Sequence, residues 1–377
     1  DKKDTVVLLP TGGGKSLCFQ VPALILDGLC IVISPLIALM KDQVENLQKR
    51  GIKAAYINSE HSSTKQIEIL DNCEFGGVKL LYIAPERIQS EAFQLRIRQL
   101  NISLIAIDEA HCISQWGYDF RPSYLKINTI REICPTVPII ALTASATNEV
   151  LKDIQVRLAL NTPAVFKGSF ARPNLVYVNR ETETKKEAIL EIIKRVPGSG
   201  IVYVRNRKET QNLAFWLREQ GISADHYHAG LGMSDRKTKQ DAWTNNKTRI
   251  IVSTNAFGMG IDKPDVRTVI HFAPPDSIEA YYQEAGRGGR DGQKAYAVLL
   301  YEKHDIAQLE KKKQSDIPNS NDVKQIYDTL LSSHQIAVNG GAGEQFEFDL
   351  GQFCKVNTLS FNKVISTLKI LEYHELI

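Results

Sequence analysis

Apolar positions come in short, nearly unbroken runs at 5–9 (TVVLL), 29–33 (LCIVI), 54–57, 78–83, 104–107 and 139–142. A strand buried on both faces reads this way, whereas a strand with one wet face alternates. Between the runs lie stretches such as 36–50, where apolar residues recur every three or four positions and predict helices. Strands of this kind separated by helices predict a parallel sheet covered on both faces over residues 1–165. In such sheets ligands gather at the carboxyl ends of the strands. The polar clusters fall at those ends: 11–16, Ser34-Pro35, Pro85-Glu86-Arg87, 108–111 and 143–147.

Gly and Pro then flank a basic turn at 168–173 (GSFARP), which reads as a linker. The alternation resumes with strands expected at 175–178, 201–204, 224–227, 250–253, 268–272 and 295–300. Helices are expected over 185–195, 209–220 and 277–285. This is a second lobe of the same architecture. Beyond it, Lys311-Lys312-Lys313 and the polar residues after them read as a solvated turn. A helix is expected over 323–338, a short strand over 346–350 and an amphipathic helix over 360–371, with 372–377 following. Helices with a final short strand suit the start of a winged helix, and plain helical packing suits the pattern equally. The expected organisation is lobe 1 over 1–167, lobe 2 over 168–303 and a smaller, mainly helical region over 304–377.

Composition narrows the class. With 43% apolar and 24% charged residues the chain can build packed cores and is not a disordered polyelectrolyte. The net charge is only +3, so any nucleic-acid surface must be local. No apolar run reaches the roughly 18 residues of a membrane span. The six cysteines form no CxxC pair, which supports neither a zinc ribbon nor a disulfide framework. A reducing setting is expected.

The candidate chemistry begins at Pro10-Thr11-Gly12-Gly13-Gly14-Lys15-Ser16. A strand, a glycine run and a helix with Lys and Ser at its mouth make a phosphate cradle. Backbone N–H groups meet phosphate oxygens, Lys15 adds a point charge, and the Ser16 hydroxyl can hold Mg²⁺. The strict pattern places Gly where this chain has Leu9. Asp108 and Glu109 follow another strand, suited to holding the metal and to deprotonating an attacking water. Acidic residues also favour a helix N-terminus on their own account. Residues 112–124 (CISQWGYDFRPSY) crowd aromatics among polar groups and an Arg, which suits stacking on single-stranded bases or a loop buried by its own rings. The three hydroxyls of 143–147 can face a γ-phosphate or cap a helix. In lobe 2, 257–262 (FGMGID) is a glycine turn ending in a carboxylate. Arg287 and Arg290 stand among glycines at a helix end, placed to neutralise a transferring phosphoryl group or to pair with the helix dipole.

Together, PTGGGKS (10–16), SPLIALMKDQV (34–44), DEAH (108–111), CISQWGYDFRPSY (112–124), ALTASAT (141–147), AFGMGIDKPDVR (256–267) and YYQEAGRGGRDG (281–292) resemble the superfamily-2 helicases. The likeness is closest to the RecQ DNA helicases, through the aromatic loop directly after DEAH. The resemblance implies two RecA-like lobes, with ATP hydrolysis driving 3′→5′ movement on single-stranded DNA and duplex unwinding in repair and recombination. Thr11, Gly12, Gly13, Gly14 and Lys15 would hold phosphates, Ser16 and Asp108 the Mg²⁺, and Glu109 would be the base. Arg290 would be the arginine finger, supported by Arg287 and Gln283, with Gly260 and Asp262 lining the nucleotide cleft. Gln115, Trp116, Tyr118, Phe120 and Arg121 would couple DNA contact to ATP. Ser34, Arg87, Asn206, His228 and Thr254 would follow the DNA backbone. The family usually has His where this chain has Tyr118, a ring that carries no charge near neutral pH. The family's four-cysteine zinc module finds no counterpart, since only Cys354 lies beyond Cys134. The implied partners are single-stranded DNA and its junctions with duplex, engaged by a monomer, with no structural zinc and no membrane. The implied location is the bacterial cytoplasm or the eukaryotic nucleus.

Overall fold

The computed structural model describes residues 3–58, 61–114, 121–258, 263–337, 340–341, 343–374 and 376–377. Its contacts divide into one compact unit up to Leu300 and a second from Tyr301 onward. The first unit holds two sheets.

The first sheet comprises β1 (Thr5–Leu8), β2 (Leu29–Ile33), β3 (Ala54–Ile57), β4 (Leu80–Ile83), β5 (Ile102–Ile107), β6 (Ile139–Thr143) and β7 (Ala164–Lys167) in the order 3-4-2-5-6-1-7. All of its pairings are parallel. Both faces are covered, and every residue of β2, β4 and β6 is buried. One face packs Ile31, Ile83, Ile105 and Tyr124, and the other packs Phe19, Met40, Val32 and Tyr82. The continuous apolar runs thus have the double-sided burial that their composition predicts. The seventh strand has no such run, because β7 is an edge strand with Val165 and Phe166 exposed.

The second sheet comprises β8 (Leu175–Glu181), β9 (Ser199–Tyr203), β10 (Ala224–Tyr227), β11 (Ile250–Ser253), β12 (Val266–His271) and β13 (Ala295–Tyr301) in the order 10-11-9-12-13-8. Strands β10, β11, β9, β12 and β13 pair in parallel. The helix Met233–Thr244 was not among the expected elements. It is polar nearly all round, burying only Trp243, whose indole Nε1 donates to the Gly200 carbonyl at 3.1 Å.

In the second unit the helices Ser320–Ser333, Leu350–Val356 and Phe361–Tyr373 enclose a core of Ile326, Phe353, Cys354 and Val364. Two expectations are corrected here. The lysine run is helical, inside Lys303–Asp316, because lysine is a good helix former and the first breaker is Pro318. Residues 346–350 form no strand: Asp349 instead caps Leu350–Val356, accepting from the Gln352 amide at 2.9 Å. Phe348 lies against Phe353, with ring centres 5.2 Å apart, so its apolar surface is covered without a ladder. Residue 372 also continues a helix, and no strand follows β13 among the described residues, which removes the sequence basis for a winged-helix start. The helix expected over 323–338 begins at Ser320, where Asn319 and Asp322 form a capping box, and it stops before Gln335 at φ +54°.

Candidate active site

Between β1 and the helix Leu17–Ile25 the chain makes the tight turn that the glycines permit. Gly12 and Gly14 adopt φ of +79° and +76°, a region costly to residues with a Cβ. Gly13 donates to the Pro10 carbonyl at 2.9 Å, and a Cβ on it would lie 2.9 Å from that same oxygen. The turn therefore closes tightly and opens onto a helix N-terminus, whose first amides have no intrahelical partner.

The Ser16 hydroxyl accepts from the Gln43 amide at 3.3 Å, and Gln43 Oε1 in turn accepts from the Tyr82 hydroxyl at 2.9 Å. Gln43 sits on the helix Ile37–Lys49, within the 34–44 run, so a side chain 27 residues away in sequence orients the candidate metal-binding hydroxyl through space. Sequence reasoning missed this role; the amide next to the buried Val44 was the available signal.

Asp108 follows β5, two places from β1 across the sheet, and its side chain is almost wholly buried. Burial and the neighbouring Glu109 carboxylate push its pKa up to about 7, against the pull of Lys15 and of the Glu109 amide. That pull brings the cradle's lysine and the DEAH aspartate into one electrostatic site. Glu109 has the left-handed backbone φ 48°, ψ 46°. Its Oε2 lies 3.4 Å from His111 Nδ1. His111 and Thr143 are fully buried, and His111 Nδ1 lies 2.9 Å from Thr143 Oγ1. Thr143 Oγ1 also donates to the Ser145 carbonyl at 3.3 Å. The imidazole and the Thr143 hydroxyl share one buried hydrogen bond. The DEAH box and the end of β6 are thus one hydrogen-bonded unit.

The other lobe reaches the same place. A Cβ built on Gly12 would lie 3.1 Å from Arg290 Cγ, and one on Gly286 would lie 3.2 Å from Thr11 Cβ. Arg290 packs on the glycine turn. Arg287 instead holds its own lobe: it is buried, donates to the Gly258 carbonyl and bonds Tyr203. Gln283 is also buried, on the helix Ile278–Ala285.

The residues suit a magnesium–nucleotide. They offer hard oxygen donors at Ser16 and Asp108, a buried Asp108 carboxyl whose charged form burial and Glu109 disfavour and a cation would restore, and a buried Thr11 Oγ1 with no partner among the described residues. The DEAD/DEAH box helicase family profile matches residues 1–154, and the helicase conserved C-terminal domain profile matches 184–292. The ATP-dependent DNA helicase RecQ of Pasteurella multocida (strain Pm70) is 47% identical over 310 residues, covering 82% of this chain and 49% of that protein. The chain belongs to the RecQ family of helicases. The protein of the same name from Bacillus subtilis (strain 168) is 45% identical over 307 residues, covering 81% of this chain and 52% of its own length. The chain therefore spans about half the length of these RecQ relatives.

Among solved structures, the Mycobacterium smegmatis helicase Lhr bound to ssDNA and AMP-PNP aligns with TM-score 0.65 and 18% identity, over 96% of this chain and 52% of that one. A DEAD box protein from Methanococcus jannaschii aligns at 0.53 and 22%, over 83% and 86%. These likenesses are of fold.

The RecQ-type aromatic loop falls partly outside the described residues, as do Gln115, Trp116, Tyr118, Phe120, Gly260 and Asp262. Its far end is fixed on the nucleotide side. Arg121 donates to the Pro35 carbonyl at 2.9 Å, and the buried Tyr124 hydroxyl donates to the Asp108 carbonyl at 3.0 Å. The remaining nucleic-acid candidates lie at the carboxyl ends of neighbouring strands: Ser34 and Arg87 after β2 and β4, and His228, Thr254 and Asn206 after β10, β11 and β9. Asn206 is exposed, while Arg87 and Thr254 are half-buried. Ser34 and His228 are buried, so in this conformation their side chains lie beneath the surface that a phosphate would touch. Among the described residues no helix is long and apolar enough to cross a membrane.

Proposed function

We propose that the chain is the motor portion of an ATP-dependent DNA helicase of RecQ type. It hydrolyses ATP to move 3′→5′ along single-stranded DNA and separates the duplex ahead, in repair and recombination. The observation that carries this reading is the packing of Arg290 from one lobe on Gly12 of the other, beside Lys15 and Asp108. A site assembled from two lobes is complete only when they are together, and hydrolysis can therefore be tied to their relative motion.

In this reading the glycine turn and Lys15 hold the β- and γ-phosphates. Ser16 and Asp108 are the residues that would hold Mg²⁺, which supplies charge neutralisation along the phosphate chain when bound. The Glu109 carboxylate takes the proton of the attacking water, left free to do so because His111 Nδ1 is paired with Thr143 Oγ1. Arg290 offsets the charge that spreads over the transferred group, a role worth about 10³–10⁵ in rate where it has been measured. Arg287 and Gln283 hold the helix end from which Arg290 projects. The Tyr124–Asp108 and Arg121–Pro35 bonds tie residues 121–124 to the site, so DNA that pulls on that segment would reposition Asp108. The protein works as a monomer on single strands and their junctions with duplex, in a bacterial cytoplasm or a eukaryotic nucleus.

Strand displacement tests the reading. A duplex with a 3′ single-stranded tail should be unwound with ATP, and one with a 5′ tail should not. Unwinding of neither, or of the 5′-tailed duplex alone, would overturn it.

A further inference from the structure

Arg172 lies in the segment joining the lobes, which the sequence offers only as a basic turn. Its guanidinium is half-buried, with both terminal nitrogens engaged. One terminal nitrogen donates to the Thr11 carbonyl at 3.2 Å and the Gly286 carbonyl at 3.3 Å. The other donates to the carbonyls of Gly288 at 2.8 Å and Gly289 at 2.9 Å. All four terminal N–H bonds are thus matched to carbonyl oxygens, a planar fork that lysine cannot reproduce. Three of the four acceptors follow the helix Ile278–Ala285, where carbonyls run out of intrahelical partners and a cation is favoured. The fourth belongs to the phosphate-cradle turn.

Asn174 reinforces the joint. Its Nδ2 donates to the Gly289 carbonyl at 2.7 Å and the Gln293 carbonyl at 2.9 Å. Gly289 adopts φ +60°, and a Cβ there would lie 2.6 Å from that same Nδ2. The glycine run that carries Arg290 is therefore shaped around the linker.

We propose that Arg172 is a positioning residue for phosphoryl transfer: it clamps the Gly286–Gly289 turn to the Thr11 carbonyl and so holds Arg290 over Gly12. This rests on the ATPase reading above. Three of its bonds stay within lobe 2 and one crosses to lobe 1, so the crossing bond forms only when the lobes are together. The linker thereby takes part in completing the site.

The test uses the full chain as wild type, Arg172→Ala, Arg172→Lys, Arg290→Ala and the Arg172→Ala/Arg290→Ala double variant. Steady-state ATPase with single-stranded DNA, binding of a fluorescent mant-ATP, and hydrogen exchange of the 8–16 and 284–292 segments are the readouts. Misplacement of a catalytic group by about 1 Å can cost about 10²-fold. Arg172→Ala should accordingly lower kcat by at least about tenfold, with mant-ATP affinity within about twofold of wild type. Arg172→Lys should fall between the two. The double variant should be no slower than Arg290→Ala, because the clamp acts through Arg290. Exchange should quicken in both segments.

A kcat for Arg172→Ala within about twofold of wild type, or a double variant slowed by the full product of the single losses, would overturn the proposal. A wild type without turnover would instead overturn the ATPase reading. The exchange data then decide the clamp alone: faster exchange at 284–292 keeps it, and unchanged exchange removes it.

Discussion

Replacing Thr143 by Val keeps the volume of a side chain at the end of β6 and deletes one hydroxyl. That hydroxyl is fully buried and has three contacts: His111 Nδ1 at 2.9 Å, the Ser145 carbonyl at 3.3 Å and the Ser145 amide at 3.4 Å. Leaving a buried polar group unpaired costs about 1–3 kcal/mol. The lower half of that range applies, because Glu109 Oε2, 3.4 Å from Nδ1, is near enough to accept a hydrogen bond from the imidazole in place of the lost hydroxyl. The expected loss of stability is therefore about 1–2 kcal/mol. The rescue has a catalytic consequence, since it draws toward His111 the carboxylate that is to accept a proton from water. Thr143→Val should lower kcat for ATP by about tenfold, a change of about 1.4 kcal/mol in the barrier. KM for ATP should move little, because Lys15 and the glycine turn are untouched. Urea unfolding and steady-state ATPase measure the two effects separately. Unchanged kcat together with an unchanged unfolding midpoint would refute the hydrogen-bonded link between the DEAH box and β6.

Three further outcomes follow from the same geometry. Lys15→Ala should abolish ATP turnover and leave single-stranded DNA binding largely intact; wild-type turnover would remove the cradle assignment. In magnesium-free, nucleotide-free protein, burial keeps the Asp108 carboxyl protonated up to about pH 7, whereas the unfolded chain releases that proton near 3.8, the ordinary value for an aspartate. Between those limits the folded state holds more protons than the unfolded one, so this group's contribution to stability falls as pH rises. Asp108→Asn should therefore gain stability over wild type more at pH 7.5 than at pH 4, and an equal difference at both would contradict the burial. Tyr124→Phe removes a buried hydrogen bond to the Asp108 carbonyl. It should cost about 1 kcal/mol in urea unfolding and weaken DNA stimulation of the ATPase more than its basal rate; equal loss of both would argue against mechanical coupling.

Both sheets were legible because their strands are buried on two faces, which leaves an apolar run that turns and helices interrupt cleanly. The elements that escaped lack that signature. Strand β7 is short and exposed at an edge, and the helix Met233–Thr244 buries little beyond Trp243. The lysine run is ambiguous in sequence because a cluster of charge suits a solvated turn and an exposed helix equally. Residues 346–350 misled because alternation of apolar and polar residues implies a strand only where another strand is available to pair. Within the site, the glycine turn and the two carboxylates were legible from spacing alone. The hydrogen bonds that join them were not: Gln43–Ser16, His111–Thr143 and Arg172–Thr11 connect residues far apart in sequence through single polar atoms, which no periodicity records.

The central claim is that the two lobes build one ATP site and that single-stranded DNA sets its rate. The most direct measurement is the ATPase rate of wild type and Arg290→Ala without nucleic acid, with single-stranded DNA and with RNA. The account predicts strong stimulation of wild type by DNA, little by RNA, and a loss of turnover in Arg290→Ala under every condition. Equal stimulation by RNA, no stimulation at all, or undiminished turnover without Arg290 would contradict it.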